Sequence, residues 1–490
     1  MNKIISLAAP ALLLQAATYA STSNVIPKEK DSSNNTKPNI VFIIADDLGY
    51  SDVGYMNMKP EIKTPNIDAL SKSGITFMEA YAAAPVSSPT RASIMTGKSS
   101  ATEKITCHIP GIGIEKYNKK MNKGRKLKEA FFIDHLPKTE TTVAEVLKSE
   151  GYKTGYFGKW HLGGDGSWYS KDGIMNPEYD PDKYGYDINI GGCAYGQPAR
   201  YFSPYKNGTI KDGPKGEYLT DRLGDEAVKF IKENKDQPFF LNLATYTVHT
   251  PLGAPASYVK KFGGNKYFAM INKLDEAVGK VMQTLKEYNL LENTIVIFYS
   301  DNGGLWGNPP LKGKKGTINE GGLRVPMVVS YKGKIKPGQI SDLPVTSIDF
   351  FPTFWDIAEG AFSDETIKSM PKAKEDSIRA TLEGVSLVPL LKGKKRIARK
   401  EFKNRDLYWH FPHHRKEGLS MGAVIREGDW KLIQAFETNK LYLYNIKKDI
   451  AEENNLADKY PEKVKDLLSK LKTWQKKVDA EMPQKNTVDR

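Results

Sequence analysis

"NIVFIIADD", residues 39–47, is an uninterrupted apolar run that ends in two carboxylates. Two similar runs occur further along the chain, "FFLNLA" at residues 239–244 and "TIVIFYS" at residues 294–300, and helix-like stretches such as "LDEAVGKVMQTLKEY" lie between the runs. Short runs rich in Ile, Val and Phe that alternate with helical segments are typical of strands buried on both faces of a parallel sheet. The sequence therefore predicts an α/β fold with a large mixed, mostly parallel sheet flanked by helices.

A different pattern occupies the C-terminal part of the chain. Residues 422–446 are typical of an antiparallel meander, and residues 461–478 have the spacing of an amphipathic helix. We therefore predict a main α/β domain over residues 38–395 and a smaller α+β subdomain with an antiparallel sheet over residues 396–485. Residues 163–219, which are rich in Gly, Tyr, Asp and Pro, are too irregular for a core segment and are predicted to form the rim of a pocket.

The N-terminal residues have the layout of a secretory signal peptide. Lys3 is followed by an apolar run over residues 4–14 and then by small residues. We predict a signal peptide at residues 1–20, a flexible leader at residues 21–37 and a protein that is periplasmic or secreted. The other apolar runs are much shorter than the roughly 20 residues that cross a bilayer, so no membrane insertion is expected.

The composition of the 490-residue chain is that of a globular protein, with 39% hydrophobic and 27% charged residues. Its formal net charge of +14 is spread over Lys-rich stretches without a stacked-aromatic pattern or a base-reading module, which argues against nucleic-acid binding. A basic surface also concentrates an anionic substrate. Cys107 and Cys193 permit one disulfide, and two separate thiols are an equal alternative.

Polar residues follow each of the three apolar runs. Asp46 and Asp47 follow the first, His249 comes shortly after the second, and Asp301 and Asn302 follow the third. Because the functional crevice of an open α/β sheet lies outside the carboxyl ends of its strands, we expect these side chains to meet at one edge. Adjacent carboxylates repel unless a cation neutralises them, and oxygen ligands suit Ca²⁺ or Mg²⁺ rather than zinc. An Asp-capped turn is the alternative for the first pair taken alone.

The stretch "PVSSPTRASIMTG", residues 85–97, predicts a short helix that Gly97 ends and whose first turn contains Pro89. Ser87 or Ser88 then stands at the positive N-terminal end, where anions are favoured. Arg91 would brace a metal site or a nucleophile nearby. An ordinary serine cap is the alternative for this segment alone.

Two further stretches carry candidate side chains. In "GYFGKWHLGG", Lys159 and His161 lie two residues apart and would face the same side of an extended segment, which supplies a fixed positive charge and a proton carrier. Lys315 lies in the glycine-rich stretch "LKGKKGTINEGGLRVP", and His249 lies in "TYTVHTP". Each of the last two counts as a candidate only together with the rest, because a lone histidine or lysine is more often structural or solvated.

Taken together, these stretches resemble the formylglycine-dependent sulfatases of the alkaline phosphatase superfamily. Ser87, Pro89 and Arg91 match the family's Cys/Ser-x-Pro-x-Arg signature, and the chain has further matches in the expected order at "GKWHLG", "SDNGG", "EGGLRVP", "REGDWKLI" and "LYNIKKDIAEENNL". The resemblance spans nearly the whole mature chain and implies an alkaline phosphatase-like fold and hydrolysis of sulfate esters. Serine at position 87, where many members have cysteine, is typical of anaerobic bacteria with a radical-type maturase.

The resemblance also implies the chemistry of the site. Ser87 would be oxidised to formylglycine by a maturase, and the hydrate of the aldehyde would attack sulfur. Once the hydrate is sulfated, its second hydroxyl would expel sulfate and regenerate the aldehyde. Ca²⁺ would be bound by Asp46, Asp47, Asp301, Asn302 and residue 87.

Five further residues receive roles from the same resemblance. Arg91 and Lys159 would hold the nucleophile. His161 would take the diol proton that drives sulfate release. His249 and Lys315 would contact the sulfate and the leaving oxygen, with His249 as the general acid.

The substrate class follows less directly. A secretion signal, a basic charge and an aromatic-rich rim favour a sulfated carbohydrate, such as a mucin, glycosaminoglycan or algal glycan unit. Residues 191–205 and 410–415 are predicted to contact the sugar, with His410 and His413 as candidates and ordinary packing as the alternative.

Two other functions stay open at this point. A phosphomonoester or phosphodiester hydrolase of the same superfamily commonly needs two metal ions and more ligands, whereas this chain has seven histidines and no clear second carboxylate set. A catalytically inactive protein that binds sulfated glycans is disfavoured because every catalytic-type residue is present.

Overall fold

A computed structural model describes residues 37–164, 177–363 and 370–487. The strands within these residues are β1 (Asn39–Ala45), β2 (Ile75–Tyr81), β3 (Leu127–Lys128), β4 (Lys153–Gly158), β5 (Ile188–Ile190), β6 (Phe239–Ala244), β7 (Thr294–Ser300), β8 (Arg324–Tyr331), β9 (Gln339–Ser341), β10 (Val345–Thr346), β11 (Asp406–Phe411), β12 (Gly422–Glu427), β13 (Trp430–Ala435), β14 (Leu441–Asn445) and β15 (Gln484–Lys485).

The α-helices of the same residues are α1 (Pro65–Lys72), α2 (Ser87–Thr96), α3 (Ile114–Asn122), α4 (Val143–Ser149), α5 (Leu219–Glu233), α6 (Ala256–Lys261), α7 (Lys266–Glu287), α8 (Glu320–Leu323), α9 (Phe350–Ala358), α10 (Lys372–Arg379), α11 (Val388–Leu391), α12 (Lys395–Ala398) and α13 (Pro461–Lys477).

The main sheet has nine described strands in the order β10–β2–β8–β7–β1–β6–β4–β5, and β9 also pairs with β2. Only β8 runs antiparallel to its neighbours among these strands, and the other pairs are parallel. β1, β6 and β7 coincide with the three predicted apolar runs and are buried along their whole length. The predicted mostly parallel α/β sheet is therefore confirmed.

Helices cover both faces of this sheet because its strands are apolar on both sides. In β1, Ile40 and Phe42 pack into a core shared with α2, α4 and α9, whereas Val41 and Ile43 pack into a second core shared with α1, α5 and α7. This alternation follows from the two-residue repeat of a strand. The carboxyl ends of β7, β1, β6 and β4 lie side by side, since Ala244 is level with both Ile44 and Gly158.

The second sheet is an antiparallel meander in the order β11–β12–β13–β14. Its outer face packs on α13, where Leu467 and Leu471 join one apolar cluster with Leu432 and Leu443. The predicted meander and amphipathic helix are confirmed, and β11 is an additional edge strand. The domain boundary between residues 395 and 396 stays a prediction.

The described part of residues 163–219 contributes to the main sheet and to the core. It adds β5 to the main sheet and buries six tyrosines: Tyr184, Tyr186, Tyr195, Tyr201, Tyr205 and Tyr218. The expectation that this segment stays out of the core is wrong. A tyrosine ring buries a large apolar area while its hydroxyl bonds to nearby backbone, so an irregular segment still contributes to the core.

The two cysteines are buried and unpaired, so the disulfide alternative is wrong. Burial raises the pKa of each thiol to about 12.

Residues 1–20 and all of the predicted leader except Lys37 lie outside the described residues, and the signal peptide stays a prediction. Over the described ranges, no helix has both the length and the hydrophobicity that a membrane span needs.

A buried ion-pair network joins the two sheets. Lys431 of β13 places its Nζ atom 2.9 Å from a carboxylate oxygen of Glu320 in α8 and 2.9 Å from one of Glu452. All three side chains are almost fully buried. The network ties the second sheet to the segment that leads into β8.

Replacing Lys431 with methionine should lower the free energy of unfolding by about 3–5 kcal/mol, because it removes the cation that two buried carboxylates share. Urea unfolding of the variant checks this. Lys440→Met, at an exposed position in the turn before β14, is the control and should change stability by less than about 0.5 kcal/mol. A similarly small effect at Lys431 would show that the network contributes little to stability.

Candidate active site

Ser87 begins α2 and lines a cavity of about 440 Å³. As predicted, α2 ends at Gly97, whose φ of 69° is one that glycine adopts without strain. The Ser87 hydroxyl lies 3.3 Å from Oδ1 of Asp46 and 3.2 Å from Oδ1 of Asn302. It accepts a hydrogen bond of 3.0 Å from Nζ of Lys159.

Three carboxylates meet beside Ser87. Asp46, Asp47 and Asp301 each bring an oxygen within 4.8 Å of the others, and all three are fully buried. They meet because β1 and β7 are neighbours and end level with one another. The backbone N–H of Asp47 donates to Oδ1 of Asp301 at 3.1 Å, and the Asn302 amide donates to Oδ1 of Asp47 at 2.8 Å.

Each carboxylate has a cation against it. Lys159, which follows β4, donates to both oxygens of Asp46 at 2.8 Å. Arg91 of α2 donates from Nε to Oδ2 of Asp301 at 2.9 Å. Lys315 donates to Oδ2 of Asp47 at 2.8 Å. The predicted residues are thus brought together from four elements and one loop.

Charge compensation is uneven across this group. Burial raises the pKa of Asp46, Lys159 lowers it, and the carboxylates of Asp301 and Asp47 raise it again. The resulting pKa of Asp46 lies above the usual range of a carboxyl group. Burial acts on Asp47 too, but Lys315 and His249 outweigh it and hold the pKa of that carboxyl below its usual range. A further cation beside Asp46 would therefore be stabilised.

The donor set fits a hard divalent cation. The carboxylates and the Asn302 amide oxygen are all oxygen ligands, and neither cysteine nor histidine belongs to this group of donors. Such a set is the one that Ca²⁺ takes in proteins.

The two predicted histidines both line the cavity. His249 has Nδ1 2.6 Å from the carbonyl oxygen of Thr250, to which it donates, and Nε2 3.6 Å from Oδ2 of Asp47. Burial and then Lys315 lower the pKa of His249 to about 3. His161 donates from Nε2 to the carbonyl oxygen of Ile109 at 3.0 Å, and burial lowers its pKa well below the usual range. Both imidazoles are therefore neutral at neutral pH.

The family model described as Sulfatase matches residues 38–361, and the model described as N-sulphoglucosamine sulphohydrolase, C-terminal, matches residues 314–480. The chain belongs to the sulfatase family. Its fold is that of the alkaline phosphatase-like sulfatases, as the resemblance implied.

Relatives of this sulfatase cover nearly its whole length. It is 30% identical to a sulfatase of Formosa agariphila over 90% of this chain and 89% of that protein. It is 26% identical to the N-acetylgalactosamine-6-O-sulfatase of Bacteroides thetaiotaomicron over 91% of this chain and 94% of that protein. The crystal structure of Ps i-CgsB in complex with k-i-k-neocarrahexaose has a TM-score of 0.71 and 30% identity, and covers 90% of this chain and 93% of that chain.

The extended segment predicted for Lys159 and His161 does not continue through both residues of the sulfatase. Gly158 has a φ of 107° and His161 a φ of 59°, so the chain leaves the strand geometry at the end of β4. Both side chains still reach the site, since Lys159 contacts Asp46 and Ser87 and His161 lines the cavity.

His410 and His413 are not part of the cavity. Nε2 of His410 lies 2.8 Å from the carbonyl oxygen of Glu481, and its Nδ1 accepts from Gln475 at 3.3 Å. Nδ1 of His413 lies 2.5 Å from Oε2 of Glu129, and its Nε2 lies 2.8 Å from the hydroxyl of Thr106. Both rings are buried with both nitrogens bonded, so the expectation that they contact sugar is wrong.

Sequence reasoning missed several cavity residues of the sulfatase. His108, Tyr117, Lys120, Arg415 and Glu417 line the cavity with Ser87. Arg415 places Nη2 3.3 Å from Oε1 of Glu417 and Nη1 3.4 Å from Nδ1 of His108. Only one of these residues could have been found from the sequence. Residues 410–415 were predicted to contact the sugar, and within that segment Arg415 lines the cavity, whereas the two candidate histidines do not.

Proposed function

We propose that this sulfatase removes sulfate from a sulfated carbohydrate, with Ser87 oxidised to formylglycine as the nucleophile and Ca²⁺ bound beside it. The observation that carries the proposal is the meeting of the Ser87 hydroxyl with Asp46, Asn302 and Lys159 within 3.3 Å. Two relatives support the substrate class, since one is named for N-acetylgalactosamine 6-O-sulfate and another was solved with a neocarrahexaose.

The proposal assigns residues of this chain to the metal ion and to the nucleophile. Asp46, Asp47, Asp301, Asn302 and residue 87 would hold Ca²⁺. When bound, Ca²⁺ would supply positive charge for the sulfate oxygens. The hydrated aldehyde would supply two hydroxyls on one carbon, one to attack sulfur and one to release sulfate. A maturase that oxidises Ser87 is thereby a partner, and residues 1–20 would direct the protein to the periplasm or the exterior.

The chain's own cations orient the reaction. Lys159 donates to the Ser87 hydroxyl, and Arg91 fixes Lys159 by donating to its carbonyl oxygen at 2.6 Å. Lys315 lines the cavity and would bind a sulfate oxygen. Because Lys159 and Arg91 are buried and all three cations are held by carboxylates before substrate arrives, they would stabilise charge that develops in the transition state without reorganisation.

The two neutral histidines are assigned different proton transfers. A neutral His161 is able to accept the proton of the hydroxyl that releases sulfate. His249 keeps its Nδ1 proton on Thr250 and directs Nε2 toward Asp47 and the cavity. A bound sulfate ester adds negative charge that favours protonation of Nε2, from which the proton would pass to the leaving oxygen.

His249→Ala should slow hydrolysis of sugar sulfates by about 10²- to 10⁴-fold, because a sugar hydroxyl is a poor leaving group without a proton. The same variant should lose far less on nitrophenyl sulfate, whose phenolate leaves unaided. Steady-state rates on both substrates check this. His161→Ala is the matched control and should be slow on both. Equal losses for His249→Ala on the two substrates would remove it from the general-acid role.

The phosphoester-hydrolase alternative would need a second set of metal ligands beside Ser87. The other group of close donors among the described residues consists of Cys107, Glu129 and His413, and none of the three lines the cavity. Sulfate release from defined sulfated mono- and disaccharides, measured beside the matching phosphate esters, tests the proposed function. Turnover of the phosphate esters alone would favour the alternative.

A further inference from the structure

An exposed tryptophan stands next to the active-site cavity. Trp306 is 50% exposed and lines a second cavity of about 570 Å³ together with Leu252, Tyr267 and Phe268. We call this the Trp306 surface. Its volume falls in the range of small-molecule sites, and its lining combines aromatic faces with a polar rim.

Two chain segments connect the lining of the active-site cavity with that of the Trp306 surface. Leu305 lines the active-site cavity and Trp306 lines the adjacent one. Thr250 lines the active-site cavity, and Leu252 lines the Trp306 surface. Because consecutive Cα atoms are about 3.8 Å apart, the two cavities are within reach of one ligand of a few sugar units.

Hydrogen bonds and an aromatic contact fix the position of this surface relative to the active site. The backbone N–H of Leu305 donates to the carbonyl oxygen of Asp47 at 3.3 Å. The ring of Tyr267 stands at 87° to that of Trp306 with centroids 6.4 Å apart, and its hydroxyl donates to Asp52 at 2.6 Å. A preorganised aromatic surface loses little entropy when it binds a ligand.

One lysine at this surface is available to an anionic group of a ligand. Lys59 and Lys266 both line it, against one carboxylate from Glu61. Lys59 is paired with Asp52, whereas Lys266 forms no ion pair with any residue that the structure describes. An aromatic face packs against the C–H face of a pyranose ring, and a lysine beside it favours a ring that carries sulfate.

We propose that the Trp306 surface binds the sugar unit next to the one that is desulfated, so that the enzyme recognises at least two linked sugars. This inference rests on the proposed function. The occupant is a pyranose of the same glycan chain, which the adjacency of the two cavities, the exposed Trp306 ring and a Lys266 unpaired within the described residues favour over a separate protein or a second copy of this chain.

Trp306→Ala should lower kcat/KM on sulfated oligosaccharides by about tenfold, mainly through KM, and this corresponds to about 1.4 kcal/mol. The loss should not extend to nitrophenyl sulfate or to sulfated monosaccharides, which do not reach the surface. The substrates are N-acetylgalactosamine-6-sulfate, and di-, tetra- and hexasaccharides of carrageenan and of a 6-sulfated N-acetylgalactosamine polymer. Trp306→Phe should keep most of the activity because it retains an aromatic face.

Tyr288→Ala is the matched control. Tyr288 is an exposed aromatic residue just beyond the far end of α7, about 33 Å from Lys266 by the rise of a helix, and its loss should change nothing. Calorimetric binding of the same oligosaccharides to Ser87→Ala protein, with and without Trp306→Ala, gives a readout that needs neither maturation nor turnover. A tenfold weaker binding there supports the subsite even if the proposed reaction fails.

Three results would overturn the proposal. One is equal losses on short and long substrates. Another is the absence of any preference for oligosaccharides over monosaccharides across the panel in the unmutated enzyme, which would leave the sulfatase function standing. The third is a change of oligomeric state in Trp306→Ala with unchanged binding, which would make the surface an interface between copies.

Discussion

Replacing Ser87 with alanine is expected to lower sulfate-ester turnover by about 10⁴-fold or more, because the nucleophile is lost while the surrounding charges remain. Alanine fits the first turn of α2 and is smaller than the buried serine, which is 2% exposed, so the fold should persist. Sulfate release and the melting temperature are the measurements. Substrate binding should survive, since Lys159, Lys315 and His249 stay in place.

The same residue gives a chemical readout. In protein made with a serine-competent maturase, peptide mass analysis should show residue 87 lacking two hydrogens, or its hydrated form, and activity should follow that fraction. Protein made without the maturase is the control and should melt at the same temperature without turnover.

Each contrary outcome identifies a different function. Full sulfate-ester hydrolysis by unmodified Ser87 protein would overturn the mechanism. Strong phosphate-ester turnover in its place would favour the phosphoester hydrolase. Binding of sulfated glycans without any turnover by fully oxidised protein would make the chain an inactive glycan-binding protein.

Removal of metal should have the second large effect. Chelation is expected to abolish activity and Ca²⁺ to restore it, because the carboxylates beside Ser87 offer only oxygen ligands. Asp301→Asn should lower activity by at least about 10²-fold by weakening the metal site. Asparagine is preferred to alanine here, since truncation would leave the buried guanidinium of Arg91 without a partner and cost about 3–5 kcal/mol.

A stability readout separates metal binding from catalysis. Excess Ca²⁺ should raise the melting temperature of the unmutated protein by about 2 °C or more, and that of Asp301→Asn by much less. Asp225→Asn, which removes an exposed carboxylate paired with Lys280, is the control and should keep the full rise. Full activity in strong chelator, with no metal found by elemental analysis, would show that the metal assignment is wrong.

Residues close to a strand end were predictable from the sequence. β1, β6 and β7 are apolar runs with sharp polar ends, and the parallel order of their sheet places Asp46, Asp301 and His249 at one edge. The position of Ser87 followed from a helix start with proline and glycine at recognisable places. These signals are local, and the topology rule that combines them is general.

Residues contributed by loops were not predictable in this way. Arg415 and His108 meet in the cavity although 307 positions separate them, and neither belongs to a periodic segment. His410 and His413 were misplaced because a histidine-rich run reads as a polar rim, whereas β11 and its following turn bury both rings against bonded partners. Polarity in the sequence does not distinguish a solvated ring from one whose nitrogens are both satisfied inside.

The depth of Ser87 also bears on how the protein is made. Residue 87 is 2% exposed and lines a cavity of about 440 Å³, a space far too small to admit a second enzyme. Under the proposed function, oxidation of this serine would precede the folding of α2 against the sheet, or would wait for that segment to open. Folding and the proposed oxidation would then compete for the newly made chain, and whichever is faster would set the active fraction. Slower folding should therefore raise that fraction without any change in the mature structure.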